Sequence, residues 1–442
     1  MNDNIVAPSI LPGFMELLPA DQMLFNRMLD TIRSTYEMYG FIPLDTPMIE
    51  KSEVLLAKSG GETEKQVYRF NKGENDLSLR FDLTVPLARY VAQHYNELAF
   101  PFRRYHIGKV FRGEKPQKGR FREFYQCDID IVDSENLSVV NDAEIPGVIY
   151  STFKALGFEN FTIRINNRRI LNGFFASKGI ANRTEVLRIL DKMDKIGEDG
   201  VKKELEAMGA NPGVVREIVD FIKIRGSDRE IIERLQGKAI GNEQFKAGID
   251  ELSKVCGYIR GFGVPERNYA VDLTIARGLD YYTGTVYETV LNDYPSIGSV
   301  CSGGRYDNLA QNYTGKKLPG VGISIGLTRL FYQLREAGIL GTGSRSTPTR
   351  LLVIPMEGTM NHALDISTKA RQRGIPTEVY FNEGKMKKKF GYADRLGIPY
   401  VLVIGEDEVR TGMFALKDMK SGTQETMDVD SVVEKVRTSL QD

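Results

Sequence analysis

The sequence predicts a chain of mixed helix and strand, in which one composite domain carrying a helical insertion precedes a separate C-terminal α/β domain. Three observations carry this expectation. At 442 residues the chain exceeds a single ordinary hydrophobic core, so two or three domains are expected. Between about 170 and 256, helical spacing replaces the strand patterns on either side, as in Val186, Leu187, Leu190 and Met193 or Val214, Ile218, Phe221 and Ile222, with Gly/Asn/Pro breaks at 209–213 and 237–242. A flexible stretch at 341–349 (GTGSRSTPT) then leads into about 90 residues of alternating strand and helix.

Composition limits the function classes. Lys+Arg and Asp+Glu both number 59, so a nucleic-acid partner must be held by local patches and not by a global basic field. No apolar run approaches the roughly 20 residues that span a bilayer, and MNDNIVAPSI lacks a basic region followed by an apolar core, so no membrane partner and a cytoplasmic location are expected. Cys127, Cys256 and Cys301 lack metal-ligand spacing and read as buried thiols; with His94, His106 and His362 equally scattered, no protein-bound metal is expected. Magnesium, if used, would arrive with a nucleotide.

Along the chain, Leu24, Met28, Ile32 and Tyr36 mark an amphipathic helix over 21–39, with Gly40 placed to cap it. FIPLDTPMIE (41–50) reads as a proline-rich extended edge segment. LSLRFDLT (77–84) alternates as a strand, with Arg80, Asp82 and Thr84 on its polar face, and the chain turns helical from Pro86. Phe111 to Asp130 (FRGEKPQKGRFREFYQCDID) reads as a hairpin with a basic tip, whose second arm places Gln126, Asp128 and Asp130 on one face. Eight Lys/Arg between Arg103 and Arg122 against the single acid Glu114 suggest phosphate binding. Val271, Leu273 and Ile275 alternate as a strand before RGLDYYTG (277–284); the sheet resumes at Tyr287, and GGRYD (303–307) reads as a loop. GVGISIG (320–326) leads into a helix with Arg329 in its first turn, where a cation opposes the helix dipole unless an anion is near, which makes Arg329 a second phosphate candidate. Beyond 349 the strands are expected at 351–355, 400–404 and 414–417, with helices after His362 and from Asp430 and a basic segment at 385–389.

Two motif readings fail. GISIG matches the G-x-S-x-G nucleophile elbow at Ser324, but the only later histidine, His362, lies beyond the flexible stretch. No G-x-x-x-x-G-K-[ST] phosphate loop occurs.

The separated pieces resemble the class II aminoacyl-tRNA synthetases, in which an antiparallel sheet binds ATP with one arginine from a strand and another from a helix start. Pro47 in TPMIE would be that class's dimer-interface proline. RGLDYYTGTVYE (277–288) with GGRYD (303–307) is more selective and resembles the histidyl-tRNA synthetase family. The resemblance implies an α+β catalytic domain built on an antiparallel sheet with flanking helices and a helical insertion, plus a C-terminal α/β anticodon-binding domain. The expected boundaries are 1–169 and 257–340 for the two parts of the catalytic domain, 170–256 for the insertion, 341–349 for a linker and 350–442 for the anticodon-binding domain.

It also implies roles. Asp82, Thr84 and Gln126 would hold the histidine ammonium, while Asp130 and Tyr282, beside Tyr281, would read the two imidazole nitrogens, one a donor and one an acceptor. Arg112 and Arg277 would be catalytic, clamping the histidine carboxylate and the ATP α-phosphate. Glu114 is expected near adenine, and Arg120 and Arg329 on the outer phosphates. ATP, L-histidine and tRNA(His) are the implied partners, with Mg2+ delivered by ATP and a homodimer as the assembly. Asp82 stands where the common bacterial pattern has glutamate, and Gly113 and Thr328 also depart from it, as in the eukaryotic-like branch. A non-charging paralogue resembling the synthetase-like subunit of ATP phosphoribosyltransferase is the alternative; it would be expected to lose the anticodon domain or the catalytic arginines.

Overall fold

The structure, a computed structural model, describes residues 6–57, 62–115, 119–190, 192–275, 281–341 and 345–439. The chain divides into two compact units, Met1–Met15 with Met28–Ile339, and Glu16–Arg27 with Leu340–Asp442.

The first unit takes the C-terminal part of α1 (Pro19–Met38) and then β1 (Ile42–Pro43), β2 (Ile49–Lys51), α2 (Ser52–Leu56), α3 (Glu62–Gln66), β3 (Arg69–Lys72), β4 (Asn75–Leu79), α4 (Thr84–Gln93), β5 (Phe102–Phe111), β6 (Glu123–Val132), α5 (Val140–Ala155) and β7 (Phe161–Asn167). Among the described residues six α-helices follow without a strand, α6 (Arg168–Ser177), α7 (Arg183–Leu190), α8 (Met193–Ala207), α9 (Pro212–Ile222), α10 (Asp228–Gln236) and α11 (Glu243–Ile259). The unit closes with β8 (Tyr269–Val271), β9 (Tyr282–Leu291), β10 (Ser299–Tyr306), β11 (Gly320–Gly326) and α12 (Leu327–Glu336). Eight strands form one sheet in the order β1-β5-β6-β11-β10-β9-β7-β8. Its six central strands pair antiparallel, while the short edge strands β1 and β8 pair parallel to β5 and β7. A three-stranded sheet, β2-β4-β3, stands apart.

Alternation along β6 sorts its side chains. Cys127, Ile129 and Ile131 are fully buried in the core, and the Tyr36 hydroxyl of α1 donates to the Cys127 carbonyl at 3.1 Å. Gln126, Asp128 and Asp130 face the other way. On the helical stretch, the breaks at 209–213 and 237–242 hold caps, Asn211 and Asn242, each accepting a backbone N–H of the helix that follows; Asn167 does the same for α6, and Ser227 with Glu230 closes a capping box on α10. Phe174 and Phe221 stack at 4.0 Å inside it. All three cysteines are buried and free.

Three local expectations need correction. LSLRFDLT is a strand only to Leu79, because the Asp82 carboxylate accepts from the Thr84 and Val85 N–H groups (3.2 and 2.9 Å) and starts α4 there. Arg80, just past that end, is buried and donates to the Lys109 and Thr46 carbonyls. The strand at Val271 stops at once, since Asp272 turns back to accept from the Thr274 N–H and hydroxyl. GGRYD is not a loop: residues 303–306 lie in β10, where a Cβ on Gly303 would sit 2.1 Å from the Gly322 carbonyl oxygen.

The second unit contains β12 (Leu351–Pro355), α13 (Met360–Gln372), β13 (Thr377–Val379), α14 (Met386–Leu396), β14 (Tyr400–Ile404), α15 (Glu406–Thr411), β15 (Phe414–Asp418), β16 (Gln424–Met427) and α16 (Val429–Thr438). Its sheet runs β13-β12-β14-β15-β16, parallel on the β12 side and antiparallel on the β15 side. The basic segment at 385–389 enters α14; Lys389 is buried there, donating to the Pro355 carbonyl. No helix among the described residues is long and apolar enough to cross a membrane.

Candidate active site

A cavity of about 480 Å³ lies over the polar face of the large sheet. The hairpin β5–β6, the strands β9 to β11, the start of α4 and the first turns of α12 supply its walls. It brings together Asp82, Thr84, Arg112, Glu114, Arg120, Gln126, Asp130, Tyr281, Tyr282 and Arg329, which the sequence distributes over about 250 positions. Arg277 lies outside the described residues.

The amino-acid end is a buried polar floor. Asp82 uses Oδ1 to cap α4, leaving Oδ2 as the oxygen the cap does not use; burial pushes its pKa up against the opposing pull of the Val85 N–H and Arg112. Gln126 donates from Nε2 to the Ser324 hydroxyl at 2.7 Å, while its Oε1 is buried with no partner among the described residues. Asp130 is held on both sides: Arg104 Nη2 lies 2.6 Å from Oδ2, and the Tyr306 hydroxyl donates to Oδ1 at 2.8 Å. Burial still raises Asp130 to about 6, and Asp128, between it and Gln126, to about 7, with Arg104 opposing both shifts. Tyr281 and Tyr282 meet edge to face at 5.0 Å, and burial raises both phenol pKa values.

The other end is cationic. The Arg112 guanidinium lies 4.3 Å over the Phe81 ring and 5.1 Å from that of Phe124, and its Nε donates to the Phe81 carbonyl. Glu114 and Arg120 pair at 3.4 Å, and Arg329, in the first turn of α12, donates to the Ile297 carbonyl. Four more of the cations from Arg103 to Arg122 are tied into the structure. Arg103 pairs with Glu144, Arg104 with Asp130 and Lys109 with Glu123, and Arg122 donates to the Glu114 and Pro12 carbonyls. Of that run, Arg112 and Arg120 are the described cations on the cavity wall.

The structure adds Asp128, Glu288, Ser324 and Tyr306 to the site. Asp128 was visible at its strand position, but nothing in the sequence shows that Ser324, nearly 200 positions away, lies opposite it. Ser324 is not a hydrolase nucleophile: it sits within β11, bonded to Gln126. Arg305 of GGRYD points away from ligand work, pairing with buried Asp142 at 2.6 Å.

An antiparallel sheet that presents one arginine beside a strand hairpin and another at a helix start, over a single cavity and without a phosphate loop, is the arrangement of the class II aminoacyl-tRNA synthetases. The comparisons narrow the class. A family model described as histidyl-tRNA synthetase matches residues 13–330, and one described as an anticodon binding domain matches 350–439. The histidine–tRNA ligase of Clostridium tetani is 62% identical over 439 residues, covering 99% of this chain and 100% of that protein. That of Finegoldia magna is 47% identical over 433 residues, covering 98% and 100%. The crystal structure of histidyl-tRNA synthetase from Nostoc sp. superposes with a TM-score of 0.91 at 43% identity, over 98% of this chain and 100% of that one. An ATP phosphoribosyltransferase regulatory subunit/histidyl-tRNA synthetase from Bacillus halodurans shares the fold, with a TM-score of 0.73 at 20% identity over 87% and 96% of the two chains. The chain belongs to the histidyl-tRNA synthetase family.

Proposed function

We propose that the protein is a histidine–tRNA ligase that uses this cavity for both of its steps. In the first, a histidine carboxylate oxygen attacks the α-phosphorus of ATP, the bond to the bridging oxygen breaks, and pyrophosphate leaves histidyl-adenylate. In the second, a hydroxyl of the terminal ribose of tRNA(His) attacks the acyl carbon and AMP leaves. The observation that carries this reading is the convergence, in one cavity, of a buried acid-and-phenol end with an arginine-bearing end.

The chemistry assigns the ends. Asp82, Thr84 and Gln126 offer oxygen acceptors to an ammonium, and Asp130 with Tyr282, against Tyr281, reads an imidazole. A site whose buried polar groups need those bonds rejects analogues lacking them by roughly 10⁴-fold or more, so editing is unnecessary. Arg112 is fixed from below by Phe81 and Phe124, so its charge meets the growing phosphoryl charge without reorganising. Arg277 is assigned the same clamp from its place in RGLDYYTG. Glu114 and Arg120 would exchange their mutual bond for adenine and phosphate, and Arg329 would hold an outer phosphate. Magnesium would come with the triphosphate, where it neutralises phosphate charge.

The second unit would grip the anticodon arm, and two chains would form a cytoplasmic homodimer through the edge at β1 and β2, where Ile42, Met48 and Ile49 are exposed. Transfer of labelled histidine to acid-precipitable tRNA(His), dependent on ATP, tests the reading. A protein that binds histidine and yet never charges tRNA would instead be a regulatory paralogue.

A further inference from the structure

We infer that Asp128 and Ser324 are positioning residues, which set the amide of Gln126 so that its carbonyl oxygen, and not its NH2 group, faces the ammonium of histidine. The inference rests on the histidine reading above and deepens it. A glutamine amide has nearly the same shape either way round, yet the two orientations have opposite consequences. Oε1 toward an ammonium accepts a charge-assisted hydrogen bond, whereas Nε2 would set donor against donor.

In the structure Gln126 Nε2 donates to Ser324 Oγ at 2.7 Å, and Oε1 finds no partner among the described residues. The choice turns on the single hydroxyl proton of Ser324. Asp128 lies directly opposite Ser324 in the register of β6 and β11, and both line the cavity. Side chains directly opposite on one face of an antiparallel pair stand within reach of each other, so the Asp128 carboxylate is placed as the acceptor for the Ser324 hydroxyl proton. With its proton committed there, Ser324 can only accept from Gln126, so the amide turns its NH2 to Ser324 and its carbonyl to the ligand. Were the acceptor at 128 missing, Ser324 would be free to donate to Oε1, and Nε2 would turn into the site. Asp128 is otherwise hard to account for. It is 2% exposed, and its Oδ1 has no partner among the described residues, a costly placement for an acid that serves packing alone.

The test is equilibrium binding of two ligands, L-histidine and imidazolepropionate, which is histidine without its amino group. Ser324→Ala and Asp128→Ala are expected to weaken histidine about 10- to 100-fold, the loss of one charge-assisted hydrogen bond, and to leave imidazolepropionate unchanged. Ser324→Thr keeps the hydroxyl and Asp128→Asn keeps an oxygen acceptor, so both are expected to retain histidine affinity. If Asp128→Ala does not fold, the Ser324 pair carries the comparison alone. An equal loss for both ligands would overturn the inference, because the residues would then act on the imidazole or on the fold, and so would undiminished histidine binding in Ser324→Ala. A wild-type protein that does not bind histidine overturns the substrate reading itself.

Discussion

Asp130 sits between the Arg104 guanidinium and the Tyr306 hydroxyl, so it holds the floor of the site as well as lining the cavity. Asp130→Ala therefore leaves Arg104 buried without its carboxylate, at a cost of about 3–5 kcal/mol. Thermal melting should show a markedly lower midpoint together with weakened histidine binding, and an unchanged midpoint would contradict the ion pair. Asp128 is the opposite case. Its folded pKa, about 7, lies above the ordinary carboxylate value, so the fold favours the protonated form. The resulting penalty is absent below the unfolded pKa near 4 and complete once pH rises past the folded pKa. Asp128→Asn should therefore stabilise the protein by about 1–3 kcal/mol above roughly pH 8, with the gain fading as pH falls toward 4. A gain that grew in acid would contradict the assignment. Arg277→Ala should lower adenylation at least 10²-fold, as loss of a preorganised charge stabiliser does, and near-normal turnover would remove it from the mechanism. At this scale the cavity-lining residues were legible from strand alternation at Gln126, Asp128 and Asp130 and from Tyr281 and Tyr282 of RGLDYYTG. The partners that hold them were not, because Arg104 and Ser324 meet the site through cross-strand neighbours that no local spacing encodes.

The elements were legible where one periodicity governs a whole segment. The second arm of the expected hairpin, β6, and the helices after Asn211 and Asn242 follow their patterns, while the first arm, β5, ends at Phe111, where the expected hairpin was to begin. They were misread where a side chain competes with the backbone pattern. Asp82 ends an alternating run by capping α4, and Asp272 does the same after β8. The glycines of GGRYD suggested a loop because a glycine pair usually marks a turn. Here their lack of side chains serves close strand approach: a Cβ on Gly303 would meet the Gly322 oxygen at 2.1 Å, and one on Gly322 would meet Asp130 Oδ1 at 2.3 Å. Gly303→Ala should spread β10 from β11 and destabilise the protein by about 1–3 kcal/mol, read by chemical denaturation. A neutral substitution would mean that the two strands can part without strain.

Across the whole molecule, the pattern beyond 349 gave β12, β14, β15 and α16 within a residue or two, because a parallel core strand such as Leu351–Pro355 is continuously apolar and easily recognised, whereas the short β13, α15 and β16 and the lysine-rich start of α14 went unread. How a chain with balanced charge holds tRNA is a matter of local patches and cannot be read from composition. Ile42 on an edge strand of the large sheet, Ile49 on one of the small sheet and the adjacent Met48 are exposed, and sedimentation should find twice the 49.7 kDa chain mass. Ile49→Asp should shift the protein toward single chains. The central claim is that one cavity joins histidine to ATP chemistry, and amino-acid-dependent exchange of labelled pyrophosphate into ATP, run with each of the twenty amino acids, addresses it most directly. Exchange with histidine alone is the predicted result, and its absence with histidine, or equal exchange with another amino acid, would contradict the account.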